Sequence, residues 1–305
     1  MKIFTNEQIA ARLDVRSASD AIRAAYLDLQ RGTAAIQPRA RIGLSDVKFS
    51  AMSAMLGSAQ IAATKMYTTI NGQFRFYIAL FSLADGALVA LLEGDAITGM
   101  RTAATSALAA RYLARPASRH LGLFGSGVQA RAHAEAFVAE RNGLREVMIH
   151  SRDAATAHAL ADSLERRFDL GARVVDADEA ANADIVVLAT RASEPVIRGE
   201  WLRPGAFVVS IGATRPDQRE IDDTSLLAAS RIVVDWTQQT PFETGDLLRP
   251  PRALIESRSI VDLSSVISAG EYRAPDATDI VIYKAVGIAL QDAAVAYLAY
   301  KRLAS

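Results

Sequence analysis

The sequence predicts an α/β protein with two domains, one built on a doubly wound parallel sheet and the other an α+β domain. After Pro116, short apolar segments alternate with helical segments. Apolar strands that lack polar alternation are typical of parallel sheets covered by helices on both faces. Before Pro116, apolar runs are separated by Gly, Asn and Asp, and the sequence Ala84-Asp85-Gly86 is a hairpin signal that indicates an antiparallel sheet.

The first domain begins with a helical pattern over residues 5–31. Candidate antiparallel strands follow at Ile61–Met66, Phe76–Leu83 and Ala87–Leu92. A helix is predicted from Asp95, a favourable N-cap, to Ala114, because Pro116 lies just past its end.

The second domain is predicted from a series of apolar strands with helices between the first four. These strands are His120–Phe124, Glu146–His150, Ile185–Ala189, Phe207–Ile211 and Ile232–Asp235, with a further apolar stretch at Ser259–Leu263. The segment Asp279–Leu303 is interpreted as one helix that returns to the first domain. We therefore expect a first domain of residues 1–115 and 279–305 around a second domain of residues 116–278.

Composition excludes several functional classes. Lys and Arg together number 34, as do Asp and Glu, so there is no global basic field for nucleic acid. The absence of cysteine excludes disulfides, thiolate catalysis and cysteine-based metal sites. The four histidines have no metal-ligand spacing with carboxylates, so no metal site is expected. No apolar run approaches the roughly 20 residues of a membrane span, and no signal-peptide pattern begins the sequence, so we expect a cytoplasmic protein.

A glycine loop follows the first strand of the second domain. Residues Gly125-Ser126-Gly127-Val128-Gln129-Ala130 lie between that strand and a helical stretch that runs to Glu140. Gly125 permits a tight turn, Gly127 lets the backbone approach a pyrophosphate, and Ala130 permits close helix–sheet packing. The pattern predicts a Rossmann-type dinucleotide site with the pyrophosphate on the helix N-terminus. The alternative is a glycine-rich turn in another α/β fold.

Cofactor choice is predicted from the end of the second strand, where NAD enzymes usually carry an acidic residue. Ser151 and Arg152 stand there instead, and a hydroxyl and a guanidinium suit a 2′-phosphate. This favours NADP(H), with NAD(H) as the alternative. Asp153 would either oppose the phosphate or cap the next helix, and Arg152 could be a solvated residue at a helix start.

Several motifs resemble the ornithine cyclodeaminase/mu-crystallin family. They are Thr64-Lys65, Asp95–Thr105 with its Arg-Thr-Ala-Ala segment, Ala109–Pro116, the glycine loop, Ile211–Asp217, Arg219-Glu220 and Gly287 with Gln291-Asp292. The resemblance implies a Rossmann domain and an N-terminal substrate and dimerisation domain completed by the C-terminal helix. It also implies a homodimer that handles a small amino or imino acid beside a nicotinamide.

The resemblance also implies site residues. Lys65, Arg101 and an arginine of the first strand would hold the substrate carboxylate; Arg39 and Arg41 are both available, and Arg41 is preferred because apolar Ile42 follows it. Lys65 could act as an acid–base group if neighbouring cations lower its pKa. The alternative for each is a surface salt bridge. The predicted cofactor-binding residues are Thr102, Gly125, Ser126, Gly127, Val128, Gln129, Ser151, Arg152, Thr190 and Gly212.

Two departures from the family pattern bear on the reaction. Thr214 stands where cyclodeaminases carry an Asp, and Asp217 is offset by three residues. Thr cannot act as a carboxylate base, so the sequence favours reduction over deamination. Phe76 replaces a small residue and would narrow or reshape the pocket.

The prediction is an NADPH-dependent reductase of a small ketimine or cyclic imino acid, of the pyrroline- or piperideine-2-carboxylate type. The alternatives are an ornithine cyclodeaminase that uses NAD, an amino-acid dehydrogenase, or a non-catalytic protein that binds NADPH or a small ligand. Neither nucleic acid nor a membrane is an expected partner.

Overall fold

The chain folds into two units, each built on its own β-sheet. The computed structural model describes residues 1–140, 143–270 and 278–304. Unit 1 comprises Met1–Thr105 together with the chain from Gly287 onward, and unit 2 comprises Ser106–Val286. Elements are numbered along the chain.

The N-terminal part of unit 1 forms a seven-stranded sheet with three helices. Its strands are β1 (Lys2–Phe4), β2 (Ala34–Ile36), β3 (Ala40–Leu44), β4 (Val47–Leu56), β5 (Ile61–Ile70), β6 (Gln73–Ser82) and β7 (Leu88–Glu93). Its helices are α1 (Asn6–Ala10), α2 (Val15–Gln30) and α3 (Asp95–Leu113), which continues into unit 2. The order is β1-β7-β6-β5-β4-β2, with β3 also on β4. All pairs are antiparallel except β1 with β7, so the predicted antiparallel sheet and the hairpin at residues 84–86 are confirmed.

Unit 2 contains an eight-stranded, fully parallel sheet in the order β10-β9-β8-β11-β12-β15-β13-β14. Its strands are β8 (His120–Phe124), β9 (Glu146–His150), β10 (Gly171–Val174), β11 (Ile185–Leu188), β12 (Phe207–Ser210), β13 (Ala229–Val234), β14 (Ile260–Asp262) and β15 (Ile280–Lys284). Its helices are α4 (Val128–Glu140), α5 (Ala154–Arg167), α6 (Ala177–Ala181), α7 (Asp223–Ala228), α8 (Gly245–Leu248), α9 (Arg252–Glu256) and α10 (Leu263–Ala269). The strand order reverses between β8 and β11, and α/β sheets bind ligands at the carboxyl ends of the strands at such a point.

The predicted single helix Asp279–Leu303 is wrong. Residues Ile280–Lys284 form β15, which is buried between β12 and β13, and the helix α11 (Ala289–Ala304) begins only after it. A strand buried on both faces has no polar alternation, so periodicity cannot separate it from an apolar helix. The two units divide at Thr105/Ser106 and at Val286/Gly287, so β15 belongs to unit 2 and α11 to unit 1.

The sheet of unit 1 has two unlike faces. Helices α2 and α11 contact each other, and α11 contacts β4, β5 and β6. Alternate residues of these strands, such as Met52 and Lys65, are buried, and they form what we call the helix-covered face. The other face, which we call the open face, exposes large apolar side chains, namely Ile42, Leu44, Val47, Phe49, Met55, Ile70 and Tyr77.

Candidate active site

Lys65 lies on the helix-covered face of the unit 1 sheet and is only 3% exposed. Its Nζ donates hydrogen bonds to Oγ1 of Thr98 on α3 (2.7 Å) and to Oδ1 of Asp292 on α11 (2.9 Å). The ammonium is therefore held by two side chains, Thr98 and Asp292, which precede and follow unit 2 in the sequence.

Arg101 is the second buried cation of this cluster. Its Nε lies 3.2 Å from Oδ1 of Asp292, and its Nη1 donates to Oε1 of Gln291 at 2.9 Å. Gln291 in turn donates to the hydroxyl of Tyr26 at 2.9 Å. Gly287 has a φ of +78°, and a Cβ there would lie 2.3 Å from Nη1 of Arg101. The Gly287, Gln291 and Asp292 motif thus makes room for Arg101 and orients it.

Asp292 is 1% exposed, and its Oδ2 accepts no hydrogen bond within the described residues. Burial raises its pKa, but the charges of Arg101 and Lys65 outweigh this, so the pKa of Asp292 lies below its usual value. The lowered pKa favours the charged carboxylate, and Oδ2 is a buried acceptor that no described group satisfies. The sequence motif contained Asp292 but gave it no role, although an acid within an apolar helix was a usable signal.

Burial lowers the pKa of Lys65 from 10.5 to about 7. Asp292 opposes this effect, whereas the charges of Arg101 and Arg39 add to it. Lys65 can therefore both donate and accept a proton near neutral pH, as an acid–base catalyst requires.

Arg39 belongs to this cluster, and the predicted Arg41 lies in β3. Nη2 of Arg39 donates to the carbonyl oxygen of Gly287 at 2.7 Å, and its charge acts on Lys65. Arg41 is exposed. The choice of Arg41 rested on the apolar residue after it, but Ile42 pairs with Phe49 on the open face and is 72% exposed. An apolar neighbour on the open face therefore carries no information about the site.

The glycine loop lies at the carboxyl end of β8, where the strand order of unit 2 reverses. Gly125 has a φ of +104°, and a Cβ there would lie 2.7 Å from the carbonyl oxygen of Ala189. A Cβ at Gly127 would meet nothing within 4 Å, and Val128, the first residue of α4, is 80% exposed. The first turn of α4, which begins with Val128 and Gln129, thus faces open space. This arrangement fits a dinucleotide pyrophosphate.

Three hydroxyl groups cluster beside this loop. Oγ of Ser126 lies 2.9 Å from Oγ of Ser151 and 2.6 Å from Oγ1 of Thr156. Asp153 is the N-cap of α5 and accepts a hydrogen bond from the backbone N–H of Thr156 at 3.0 Å. Of the two alternatives for Asp153, the structure shows the cap, and Arg152 is exposed.

Thr190 lies just after β11 and Gly212 just after β12. The carboxylate of Glu220 forms hydrogen bonds with both residues. Oε1 of Glu220 accepts from the N–H (2.7 Å) and the hydroxyl (2.8 Å) of Thr190, and its Oε2 accepts from the N–H of Gly212 at 2.8 Å. A Cβ at Gly212 would lie 1.9 Å from the carbonyl oxygen of Thr190. Gly212 is therefore required for the close approach of these two loops.

Behind these loops lies a buried ionic network. Nζ of Lys284 lies 2.8 Å from Oδ2 of Asp246 and 2.9 Å from Oγ of Ser210, which is 2.8 Å from Oε2 of Glu220. Burial raises the pKa of Glu220; Lys284 opposes this effect and Asp246 adds to it. The sequence did not indicate this network, because Lys284 fell within the predicted helix.

Thr214 and Thr102 complete the set of predicted residues. The backbone N–H of Thr214 donates to Oε1 of Gln218 at 3.3 Å, and Asp217 pairs in solvent with Arg215 at 3.0 Å. Thr102 belongs to unit 1, where its hydroxyl donates to the carbonyl oxygen of Thr98 at 2.7 Å.

Two other classes of site are absent from the described residues. No group of three or more His, Asp or Glu side chains in these parts of the chain could hold a metal ion. Within the same ranges, every helix is too short or too polar to cross a lipid bilayer.

The sequence was compared with protein families and with characterised proteins. The sequence model of the ornithine cyclodeaminase/mu-crystallin family matches residues 1–305. "Ketimine reductase mu-crystallin" of Rattus norvegicus is 34% identical over 223 residues, which are 73% of this chain and 68% of that protein. "Delta(1)-pyrroline-2-carboxylate reductase" of Bacillus cereus is 32% identical over 277 residues, 90% of this chain and 82% of that protein.

Solved structures show the same fold over the whole chain. A probable ornithine cyclodeaminase from Bordetella pertussis Tohama I has a TM-score of 0.95 at 40% identity, covering 100% of this chain and 97% of that one. Thermococcus litoralis Delta(1)-pyrroline-2-carboxylate reductase in complex with NADH and L-proline has a TM-score of 0.93 at 28% identity, covering 99% and 97%. An archaeal alanine dehydrogenase dimer with bound NAD has a TM-score of 0.93 at 27% identity, covering 99% and 95%. The chain belongs to the ornithine cyclodeaminase/mu-crystallin family.

Proposed function

We propose that this protein reduces the C=N bond of a small cyclic 2-imino acid, of the pyrroline- or piperideine-2-carboxylate type, with NADPH. The observation that carries the proposal is the buried cluster of Lys65, Asp292, Arg101 and Arg39. The relative from rat is named a ketimine reductase, and the relative from Bacillus cereus is named a pyrroline-2-carboxylate reductase.

The cluster is suited to an anionic substrate. With Lys65 protonated, its three cations exceed the single carboxylate of Asp292 by two charges. We assign the substrate carboxylate to Arg39 and Arg101. A charge-assisted hydrogen bond in such a place contributes about 1.5–3 kcal/mol, enough to select an acid over an amide or ester.

Lys65 is assigned as the proton donor. The imine gains a proton at nitrogen and a hydride at carbon, and it becomes a cyclic amino acid. A bound NADPH supplies the hydride. Nζ of Lys65 gives its proton to the substrate nitrogen and is protonated again from water. Asp292 keeps Nζ in place, and we assign its Oδ2, which accepts no hydrogen bond from the described residues, as the acceptor for the N–H of the product.

Unit 2 is assigned as the NAD(P)-binding domain and unit 1 as the substrate-binding and dimerisation domain. The preference for NADPH rests on Arg152 and on the Ser126, Ser151 and Thr156 hydroxyl cluster. Because Asp153 is engaged as a helix cap, its carboxylate is not directed against a 2′-phosphate. NADH is the alternative cofactor, since the reductase and dehydrogenase structures contain NADH or NAD.

We also propose a homodimer that buries the open face of the unit 1 sheet. Seven large apolar side chains are exposed there, and contiguous apolar surface of this kind marks interfaces. The archaeal alanine dehydrogenase structure is a dimer.

Ornithine cyclodeamination is the competing function, because the Bordetella pertussis structure is named for it. Thr214 argues against it here, since Thr supplies no carboxylate base at that position. The discriminating experiment measures NADPH consumption with pyrroline-2-carboxylate and piperideine-2-carboxylate beside ammonia release from ornithine with NAD⁺.

Arg39→Ala and Arg41→Ala form a matched pair for this assay. Imine reduction that is lost in Arg39→Ala and kept in Arg41→Ala supports the proposed carboxylate site. Ammonia release from ornithine without imine reduction would refute the reductase proposal.

A further inference from the structure

Glu220 is a fully buried carboxylate that joins two loops of unit 2. Its Oε1 accepts from the backbone N–H and the hydroxyl of Thr190, and its Oε2 accepts from the backbone N–H groups of Gly212 (2.8 Å) and Ala213 (3.2 Å). An ionised carboxylate only accepts hydrogen bonds and offers about four lone-pair directions. These donors therefore suit the charged form of Glu220, and an amide in its place would turn a donor towards at least one of them.

The position of Glu220 is itself fixed by a second buried carboxylate, Asp246. Oδ1 of Asp246 accepts from the backbone N–H groups of Glu220 (2.7 Å) and Ile221 (3.0 Å). Its Oδ2 lies 2.8 Å from Nζ of Lys284, and Oγ of Ser210 lies within hydrogen-bond distance of Lys284, Asp246 and Glu220. We call Ser210, Glu220, Asp246 and Lys284 the Glu220 network. All four are fully buried, so a bound ligand would contact the loops and not the network.

The two loops lie on one side of the point where the strand order reverses. In chain order, the first five strands of unit 2 are arranged 3-2-1-4-5, as in dinucleotide-binding folds made of two mononucleotide-binding halves. The half with β8 and β9 carries the glycine loop and Arg152, which the proposed function assigns to the adenosine part of the cofactor. The loops after β11 and β12 belong to the other half. Thr190 and Gly212 are only partly buried, so a ligand can reach these loops.

Building on the assignment of unit 2 as the NAD(P)-binding domain, we propose that Glu220 is a positioning residue for the nicotinamide half of the cofactor. It sets the relative position of the loops after β11 and β12, and the rest of the Glu220 network holds it in place. Because Glu220 acts through these loops, its loss weakens binding of the whole dinucleotide and spares a ligand that fills only the adenosine half. A carboxylate that merely stabilises the fold would affect both ligands alike.

Equilibrium binding to the full chain tests this difference without requiring turnover. Calorimetry would measure the Kd of NADP⁺ and of adenosine 2′,5′-bisphosphate, which lacks the nicotinamide mononucleotide part. In Glu220→Gln, the Kd of NADP⁺ should rise about 10-fold or more, because hydrogen bonds to a charged group are lost and an amide donor faces a loop N–H. The Kd of adenosine 2′,5′-bisphosphate should stay within about 2-fold of the wild-type value. If the wild type binds NAD⁺ instead, NAD⁺ and 5′-AMP form the equivalent pair.

Ser210→Ala tests the network by a milder change. It leaves the contacts between Glu220 and the loops but removes the hydroxyl that lies between Glu220 and Lys284. The Kd of the dinucleotide should rise by less than in Glu220→Gln and in the same selective way. Since Ser210 is fully buried, such a change cannot come from a lost contact with the cofactor.

Asp184→Asn is the matched control for damage to a buried carboxylate. Asp184 lies at the amino end of the same sheet, where it accepts from the backbone N–H groups of Arg119 (2.8 Å) and His120 (3.0 Å). It is remote from the carboxyl ends of the strands, where the cofactor is assigned. The ratio of the two Kd values should therefore equal that of the wild type.

The outcomes distinguish the positioning role from the reductase function. A selective rise in the Kd of the dinucleotide in Glu220→Gln supports the positioning role even if no imine is reduced, in which case only the reductase function fails. Imine reduction by the wild type, with equal rises for both ligands or an unchanged Kd in Glu220→Gln, overturns the positioning role alone. The same selective rise in Asp184→Asn also overturns it. If Glu220→Gln does not fold, Ser210→Ala decides by the same criteria, and a wild type that binds neither dinucleotide overturns both proposals.

Discussion

The Asp292→Asn substitution tests the acid–base role of Lys65 most directly. The fall in the pKa of Lys65 from 10.5 to about 7 corresponds to about 5 kcal/mol against the charged form. Asp292 is the group that limits this fall, through its charge and its 2.9 Å hydrogen bond. Removing a neighbouring opposite charge shifts a pKa by about 1–3 units, so in Asp292→Asn the pKa of Lys65 should lie well below 7.

The consequence for the rate follows from the protonated fraction. Lys65 is about half protonated at pH 7 in the wild type. A pKa lower by about 1–3 units reduces that fraction about 5- to 500-fold, and kcat/KM for imine reduction should fall in proportion. In the wild type, kcat/KM should fall as the pH rises through about 7, because the proton donor is lost.

The assay is the pH profile of kcat/KM for piperideine-2-carboxylate reduction in both enzymes. Because ionisation of the substrate is common to both, the difference between the profiles reports the enzyme group. The Asp292→Asn profile should move to lower pH, and its activity should recover towards the wild type as the pH falls. Thr98→Val removes an uncharged partner of Nζ and should shift the profile by less than about one unit. A uniform loss of activity at every pH in Asp292→Asn would refute the reasoning.

Three further substitutions have defined outcomes. Arg152→Ala should raise KM for NADPH about 10-fold or more without changing KM for NADH; an equal rise for both cofactors would contradict 2′-phosphate binding. In Glu220→Gln, the side-chain NH2 group would face a backbone N–H that now donates a hydrogen bond to Glu220. The free energy of unfolding, measured with urea, should therefore fall by about 3 kcal/mol. An unchanged free energy of unfolding would mean that the network is not ionic. Phe49→Glu should yield monomers in sedimentation velocity, whereas a dimer that persists would place the interface elsewhere.

Features that depend on local chemistry were predictable from the sequence. The glycine loop, the alternation of strands with helices and the Arg-Thr-Ala-Ala segment each act within a few residues. The family, the parallel sheet and the antiparallel sheet were accordingly recognised. Lys65 and Arg101 were predicted as site residues from the resemblance. In the structure, Nζ of Lys65 and Nε of Arg101 both lie close to Oδ1 of Asp292.

The remaining features depend on register or on distant contacts. Arg39 and Arg41 are two residues apart, so alternation could not separate them, and the hydrogen bond from Arg39 to Gly287 joins residues 248 positions apart in the chain. The strand Ile280–Lys284 is identifiable only from its neighbours in the sheet. Asp292 acquires its role from a partner 227 residues earlier in the chain, a separation over which no local pattern carries information.

That separation has a consequence for synthesis on the ribosome. The residues of unit 2 are all synthesised before those of α11. Until α11 arrives, β5 carries Lys65 without its counter-charge, and the sheet of unit 1 lacks its main cover. The same helix, α11, therefore covers the sheet and supplies the carboxylate that pairs with Lys65. A chain that ends before α11 would contain all of unit 2 but would lack Asp292, the carboxylate that pairs with Lys65.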